Sequence, residues 1–301
     1  MTLDKVSGIG IIYNARTPQS QELAKSLIHS IGSQAECWIS STVDMENNDK
    51  RLSKTDLLVS VGGDGTILRV AGVAAPLSIP ILGVNTGRVG FMTELKAGDA
   101  TKRIKYYLSG KARVEVRSML QVKVPSTKGN DIHRRAEIKW HVLNDIVVGR
   151  SRISRLLHIE AQIDGTLLTT YNADAVIVST ATGSTGYSLS ADGPILYPQS
   201  KDMVLTAVAP HLSLAPALVI PSTATIQLTH MSDEPASLSL DGLSELPLAQ
   251  GDTVEVKSSP HTVRFLRALP SSTLYASLTR RLGLEGRPFT QNPNATRSKI
   301  V

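Results

Sequence analysis

Residues Leu57 to Leu68 read LLVSVGGDGTIL, and this stretch decides how the chain is to be folded. An apolar run of β-type residues, Leu57 to Val61, leads into three glycines interleaved with one acid and one hydroxyl, after which an amphipathic segment begins. The pattern predicts a strand, a tight turn and a helix start. Gly62, Gly63 and Gly65 carry no Cβ and tolerate φ > 0, so the main chain can press against a ligand and point N–H groups at it. Phosphate is the expected guest, because the following helix adds the positive end of its dipole. Asp64 is the unexpected member. A carboxylate repels an anion, so it must serve otherwise, by taking a proton from an attacking hydroxyl or by helping to hold a divalent cation beside the phosphates. The plainer alternative is a turn in which Asp64 caps the helix. No Lys follows, as GxxxxGK[ST] requires, and GGDGTI is not GxGxxG, so neither familiar phosphate loop applies.

Working outward, Gly8 to Tyr13 reads as a buried strand. A helix follows, with Thr17 able to cap it, Pro18 at its first position, Leu23, Leu27 and Ile31 on one face, and Gly32 at its end. A short strand around Cys37 to Ile39 precedes a polar loop from Ser40 to Lys54. Past the glycine turn come a helix over Ile67 to Ala75 and an apolar run, Ser78 to Val84. Strands alternating with helices imply a parallel α/β sheet, with ligands at the carboxyl ends of its strands, where Asp64 falls.

From about Arg113 the period changes to two. Leu156 to Ile163 and Thr166 to Tyr171 flank an Asp164–Gly165 turn, and Asp241–Gly242 marks a second hairpin after SLSL. We therefore expect an α/β domain over residues 1–113, a mainly β domain over 114–270, and a helix over 271–287 crossing back to the first, with Leu274, Leu278 and Leu282 on one face. Residues 288–301 have little to bury and read as a disordered tail.

Two further constellations lie in the β half. Ser179 to Gly186 packs five Ser/Thr hydroxyls and two glycines behind the apolar strand Ala175 to Val178, and Tyr187 adds a ring. Such a surface suits ribose and a base edge, although a solvated turn has the same composition. Asp174 stands just before that strand as a turn cap or a ligand acceptor. Asn144–Asp145 interrupts a strand pattern, as at a bulge or a strand end beside a cavity, and the pair offers acceptors for vicinal hydroxyls; a surface turn is the alternative.

Totals narrow the field. With 301 residues and 32.3 kDa, two domains are expected. A net charge of +6 and a pI near 9.4 suit an anionic substrate, while 4% aromatic content and scattered basic residues argue against nucleic acid. Cys37 is the single cysteine, so neither a disulfide framework nor a thiolate cluster is expected. The first residues lack the pattern of a signal peptide, and the uncharged stretch Met203 to Pro221 is cut into strand lengths by three prolines, so a cytoplasmic protein without a membrane span is expected.

Taken together, GGDGT, GVNTGRVGFMTEL, LNDIVV, STATGSTGYSLSADGPI and LSLDG resemble the bacterial NAD kinases of the ATP-NAD kinase family over most of residues 57 to 245. The resemblance implies a two-domain fold, an α/β N-terminal domain plus a β-sandwich-like, NAD-binding C-terminal domain with the site between them. It implies phosphorylation of the adenosine ribose 2′-hydroxyl of NAD by ATP with a divalent metal, Mg²⁺ being expected, in a homodimer or homotetramer. By the same resemblance Asp64 is the catalytic acid and Gly65 an adjoining contact. Asn144 and Asp145 meet the adenosine and Asp174 the nucleotide site, while Thr185, Gly186, Tyr187, Ser188 and Ser190 line the dinucleotide, partly across a subunit interface. Arg69 would hold a phosphate, Phe91 would edge the pocket, and Arg155 and Asn172 are further contacts.

Four residues depart from the family pattern. Asp145 replaces Glu and shortens its reach, Ala181 replaces Pro and should loosen the start of its loop, Gly186 replaces Ala, and Asp192 replaces Gly. Changed affinity with retained activity is the expectation. GGDGT also occurs in lipid kinases, but those need an apolar acceptor groove where this chain has hydroxyls; a non-catalytic NAD(P) sensor would have less use for Asp64.

Overall fold

The computed structural model describes residues 6–45, 49–87, 90–124, 138–151, 156–211 and 215–268, together with Leu278. The N-terminal half runs β1 (Gly8–Tyr13), α1 (Pro18–Ile31), β2 (Glu36–Ser41), β3 (Leu57–Gly62), α2 (Asp64–Leu77), β4 (Ile81–Asn85), β5 (Leu95–Lys96) and α3 (Ala97–Leu108). Strands β2, β1, β3 and β4 lie side by side and parallel, and β3, at the centre, is buried at every position. That burial on both faces is why Leu57 to Val61 reads as an unbroken apolar run. On one side of the sheet, Leu27 and Ile31 of α1 and Ile104 and Tyr107 of α3 close over Ile9, Val59 and Leu82. On the other, Ile67, Val70 and Ala74 of α2 pack against Leu58 and Ile81.

Several boundaries differ from expectation. Helix α2 begins at Asp64 itself, three residues before the predicted start, because Gly63 is extended and its carbonyl already accepts the N–H of Thr66 and Ile67. Thr17 makes no side-chain cap, and Pro18 alone marks that helix start. The stretch 40–54 contains a 3₁₀ turn, Lys50–Lys54, capped by Asp49. Helix α3 was not anticipated, although Ala100, Ile104 and Tyr107 follow helical spacing.

The second half runs β6 (Arg113–Val124), β7 (Ile138–Val142), β8 (Asp145–Arg150), β9 (Leu157–Ile163), β10 (Thr166–Ala173), β11 (Ala175–Ser179), the single-turn α4 (Tyr187–Ser190), β12 (Met203–Val208), β13 (Leu218–Ile220), β14 (Ile226–His230), β15 (Ala236–Leu240), β16 (Ser244–Leu248) and β17 (Thr253–Arg267). Both Asp-Gly turns have positive φ at each residue, 50° and 77° at Asp164–Gly165 and 53° and 64° at Asp241–Gly242; Ile163 pairs with Thr166 across the first, a two-residue hairpin, and Leu240 with Ser244 across the second, where Leu243 adds a third residue. A six-stranded antiparallel sheet, β13-β12-β11-β8-β15-β16, faces β6, β7, β9, β14 and β17 across a core that includes Val122, Val148, Ile159, Val178, Leu205 and Val254.

Strand β17 joins the halves. Its first part pairs with β14 and β6; its last pairs with β6 and, through Phe265 opposite Ile81, runs parallel to β4. A register shift between Ser258 and Thr262, around Pro260, lets one strand serve both sheet regions. An eleven-stranded sheet thus runs through both domains. The expected returning helix over 271–287 and the tail over 288–301 lie outside the described residues, apart from Leu278. Among the described residues no helix is long and apolar enough to cross a membrane.

Candidate active site between the glycine turn and the hydroxyl loop

At the end of β3, none of the three glycines adopts positive φ. What the turn needs is the missing Cβ: one on Gly62 would stand 2.2 Å from the Thr66 hydroxyl, whereas Gly63 and Gly65 face open space. The first N–H groups of α2 point out of that end. The Asp64 carboxylate does not cap its own helix. It turns to the loop after β4 and accepts the N–H of Phe91 at 2.8 Å and of Met92 at 3.2 Å. A Cβ on Gly90 would lie 2.0 to 2.3 Å from the Asp64 carboxyl atoms, so the loop can close on this acid only with glycine there.

The second wall forms where the chain leaves one sheet for the other. Leu143 and Asn144 link β7 to β8, and Asp241, first residue of the β15–β16 turn, accepts the N–H groups of Leu143, Asn144 and Asp145 at 2.8, 2.7 and 3.1 Å. Behind them, Thr180 donates its hydroxyl to the Leu143 carbonyl at 2.6 Å and its N–H to the Asn144 carbonyl at 2.8 Å. The same hydroxyl accepts the N–H of Thr182 and Gly183, so Ala181 does not leave the loop slack: Thr180 pins it from both sides. Any side chain at Gly183 would collide with the Asn144 carbonyl, 2.1 Å from its Cβ position. Asp192, where the family pattern has Gly, adopts φ 61°, a conformation Asp tolerates better than most residues.

Two contacts bring these walls together. Leu143 shares one buried cluster with Ile67 of α2 and Met92. A chain of buried ionic contacts also spans the gap: Met92 accepts through its carbonyl from Arg267 at 3.0 Å, Arg267 and Arg117 both meet Glu115, and Arg117 donates to the Thr182 hydroxyl at 3.3 Å. Burial pushes the Glu115 carboxyl up, but Arg117 and Arg267, with hydrogen bonds from Arg117 and Arg113, overcome it and hold the group at about 2. Burial acts oppositely on Asp145, whose carboxyl it raises, helped by Asp241, to about 7. Asn144 keeps a buried side-chain oxygen with no donor among the described residues, which suits a ligand donor.

The predicted site residues therefore fall into groups. Asp64, Gly65 and Phe91 form the first wall, and Asn144, Asp145, Thr185 and Gly186 the second, the Asp145 carboxylate lying 3.7 Å from where a Gly186 Cβ would stand. Tyr187 is 46% exposed on the rim, and Ser190 is exposed. Ser188 is fully buried and bonds to Thr206, so it props the loop from behind. Arg69 lies exposed along α2. Asn172 and Asp174 are not brought to this cleft: Asn172 lies near the end of β10 and Asp174 just before β11, whose far end reaches Asp145, and Asp174 pairs with Arg150 at 2.9 Å. Arg155 lies outside the described residues. Sequence reasoning missed Gly90, Thr180, Asp241 and the Arg117–Glu115–Arg267 chain. Gly90 and Asp241 stand in stretches already singled out, whereas the ionic chain joins residues 152 positions apart and leaves no local signal.

A lone acid beside a helix start, opposed by a hydroxyl-lined loop with buried acceptors, defines a phosphoryl-transfer site of the alcohol-acceptor kind. The comparisons agree. Residues 20–112 match the ATP-NAD kinase N-terminal domain and residues 143–268 the ATP-NAD kinase C-terminal domain. The chain is 39% identical over 276 residues to a protein named NAD kinase from Dehalococcoides mccartyi (strain CBDB1), covering 91% of this chain and 95% of that one. It is 34% identical over 279 residues to another from Chloroflexus aurantiacus, covering 91% and 98%. Two solved structures share the fold: yeast NADH kinase complexed with NADH, with a TM-score of 0.81 and 24% identity over 96% of this chain and 90% of that one, and an NAD kinase from Archaeoglobus fulgidus in complex with ATP, with 0.71 and 23% over 93% and 100%. The chain belongs to the ATP-NAD kinase family, and it is a kinase.

Proposed function

We propose that this protein transfers the γ-phosphoryl group of ATP to the 2′-hydroxyl of the adenosine ribose of NAD, giving NADP and ADP. The observation that carries the reading is the joining of the Asp64 turn to the Asn144–Asp145 wall through Leu143, Ile67 and Met92. In the reaction the ribose oxygen attacks the γ-phosphorus, the bond to the bridging oxygen breaks with its electron pair leaving on ADP, and the hydroxyl proton passes to the Asp64 carboxylate. An alcohol is a poor nucleophile until that proton begins to leave. The N–H groups of Phe91 and Met92 fix the carboxylate, while Gly65 and the free end of α2 stabilise charge on the migrating group. Asn144, Asp145, Thr185 and Gly186 orient the ribose, with Tyr187 covering the base.

The divalent cation, Mg²⁺ in this proposal, arrives with the triphosphate. Among the described residues no group of three His, Cys, Asp or Glu side chains is arranged to hold a metal, and Mg²⁺ commonly needs only one or two carboxylates beside substrate phosphates. We further propose a cytoplasmic homodimer or homotetramer in which Asn172, Asp174 and Arg155 act at the site of a second copy, and a domain division near Arg113 with β17 shared. The test is purified protein with Mg·ATP and either NAD or a lipid alcohol. NADP formation supports the reading, phosphorylation of the lipid alone replaces it with a lipid kinase, and NAD binding without turnover replaces it with a sensor.

A further inference from the structure

Three charged side chains lie buried where β6 meets β17, and the reaction described above gives none of them a task. Glu115, Arg117 and Arg267 are 6%, 5% and 7% exposed. Buried ion pairs return little net stability against the cost of leaving water, so a set of three in an apolar junction points to the placing of something else. The Glu115 Oε1 atom accepts from both guanidiniums: from Nε and Nη2 of Arg117 at 3.0 and 2.6 Å, and from Nε of Arg267 at 3.4 Å. Each arginine then turns its Nη1 to a loop of the site. Arg117 donates to the Thr182 hydroxyl at 3.3 Å, and Arg267 to the Met92 carbonyl at 3.0 Å. One hydrogen bond further on stand the proposed acceptor contact and the acid. The Thr182 carbonyl accepts the hydroxyl of Thr185 at 3.1 Å, and the Met92 N–H donates to the Asp64 carboxylate at 3.2 Å. Beneath the set the backbone is held by the β6–β17 ladder, Arg117 opposite Val263 and Glu115 opposite Phe265.

We propose that Glu115 is the single post on which both loops are hung, with Arg117 the positioning residue for acceptor binding and Arg267 the positioning residue for proton transfer to Asp64. The assignment rests on the kinase reading above and adds to it how the two loops are kept in register. The cluster of Leu143, Ile67 and Met92 draws the loops together, but apolar burial is non-directional. A planar guanidinium fork fixes direction as well as distance, which an ammonium on a flexible stem does not. The chemistry needs that precision, since a misplacement of about 1 Å costs on the order of 100-fold in rate. The two arms have different duties. Thr185 meets the sugar in ground state and transition state alike, so slack in the Arg117 arm weakens binding; Asp64 acts as the proton leaves, so slack in the Arg267 arm slows the chemical step.

Substitution by lysine separates the arms, because it keeps the charge that Glu115 needs and removes the fork. Arg117→Lys should raise the KM for NAD about fivefold or more with kcat within twofold. Arg267→Lys should lower kcat about tenfold or more with the KM for NAD within twofold. Thr182→Val cuts the first arm with the ionic set intact, and it decides the proposal even where a lysine variant fails to fold. It should raise the KM for NAD as Arg117→Lys does, and Thr182→Ser, which keeps the hydroxyl, should restore the wild-type value. Arg117→Lys combined with Thr182→Val should do no more than either alone, since both cut the same contact. Multiplied effects would put Arg117 on the substrate itself and overturn the proposal. So would an unchanged KM for NAD in Thr182→Val, kcat and KM shifted together in both lysine variants, or a lowered melting temperature as the only change. Any of these failures in a protein that still makes NADP removes the positioning role alone, whereas a wild-type chain that makes no NADP removes the kinase reading with it.

Discussion

Gly90 shows how much depends on one missing carbon. The Asp64 carboxylate occupies the space a Cβ would take, so Gly90→Ala must push the acid off the Phe91 and Met92 N–H groups. A misplacement of this kind costs on the order of 100-fold in rate. The expected outcome is a kcat lowered by about that factor with a KM for NAD changed little; a wild-type kcat would show that the position of Asp64 is not critical. Asp145 gives a second prediction. Its carboxyl rises from an ordinary 3.8 to about 7 through burial and then through Asp241. The native state therefore holds a proton that the unfolded chain releases, so the stability it confers is full below about pH 4 and is lost as pH rises through 7. For a shift this large the loss is on the order of 4 kcal/mol at most. Thermal melts between pH 5 and 7 should fall for the wild type and flatten for Asp145→Asn; parallel slopes would contradict the assignment. Asp64 and Asp145 were both legible in the sequence because each breaks an apolar pattern. Gly90 was not singled out, since its reason for being glycine is a side chain 26 positions earlier.

Among the elements, β3 and α2 were legible because apolar run, glycine turn and helical period agree over a short span. Strand β17 was not, because its meaning is non-local: it completes one sheet region at its start and another at its end, with Pro260 at the shift. With β6 it also carries the ionic chain. Arg117 and Glu115 are 7% and 8% exposed, and Arg267 meets both Glu115 and Glu94. Removing one member of such a buried set leaves the others uncompensated, at a cost of about 3–5 kcal/mol. Glu115→Gln should therefore lower stability by that amount in urea unfolding monitored at pH 7, and should loosen Thr182 through Arg117. A loss below about 1 kcal/mol would mean that solvent already screens these charges. Because Glu115 is held at about 2, its contribution is present above pH 4.5 and fades as pH falls towards 2, opposite in sign to that of Asp145.

For the whole molecule, the change from helical to alternating periodicity announced an α/β part and a mainly β part, both present in the fold, and the comparisons place the chain in the family those motifs suggest. Their joining was hidden, since no local pattern records that Leu143 falls in the same buried cluster as Ile67 and Met92. That cluster ties together two loops 80 residues apart, the Asp64 turn and the Asn144 link, and the proposed function has them share one cleft. Supply of the acid by one domain and of the sugar by the other is the claim everything else depends on. Asp64→Asn tests it most directly, with NADP formation followed from Mg·ATP and NAD, and NAD affinity measured by calorimetry on the same preparation. The account predicts NADP formation slowed by about 100-fold or more with NAD affinity within a fewfold of wild type. Turnover at the wild-type rate in that variant would contradict it.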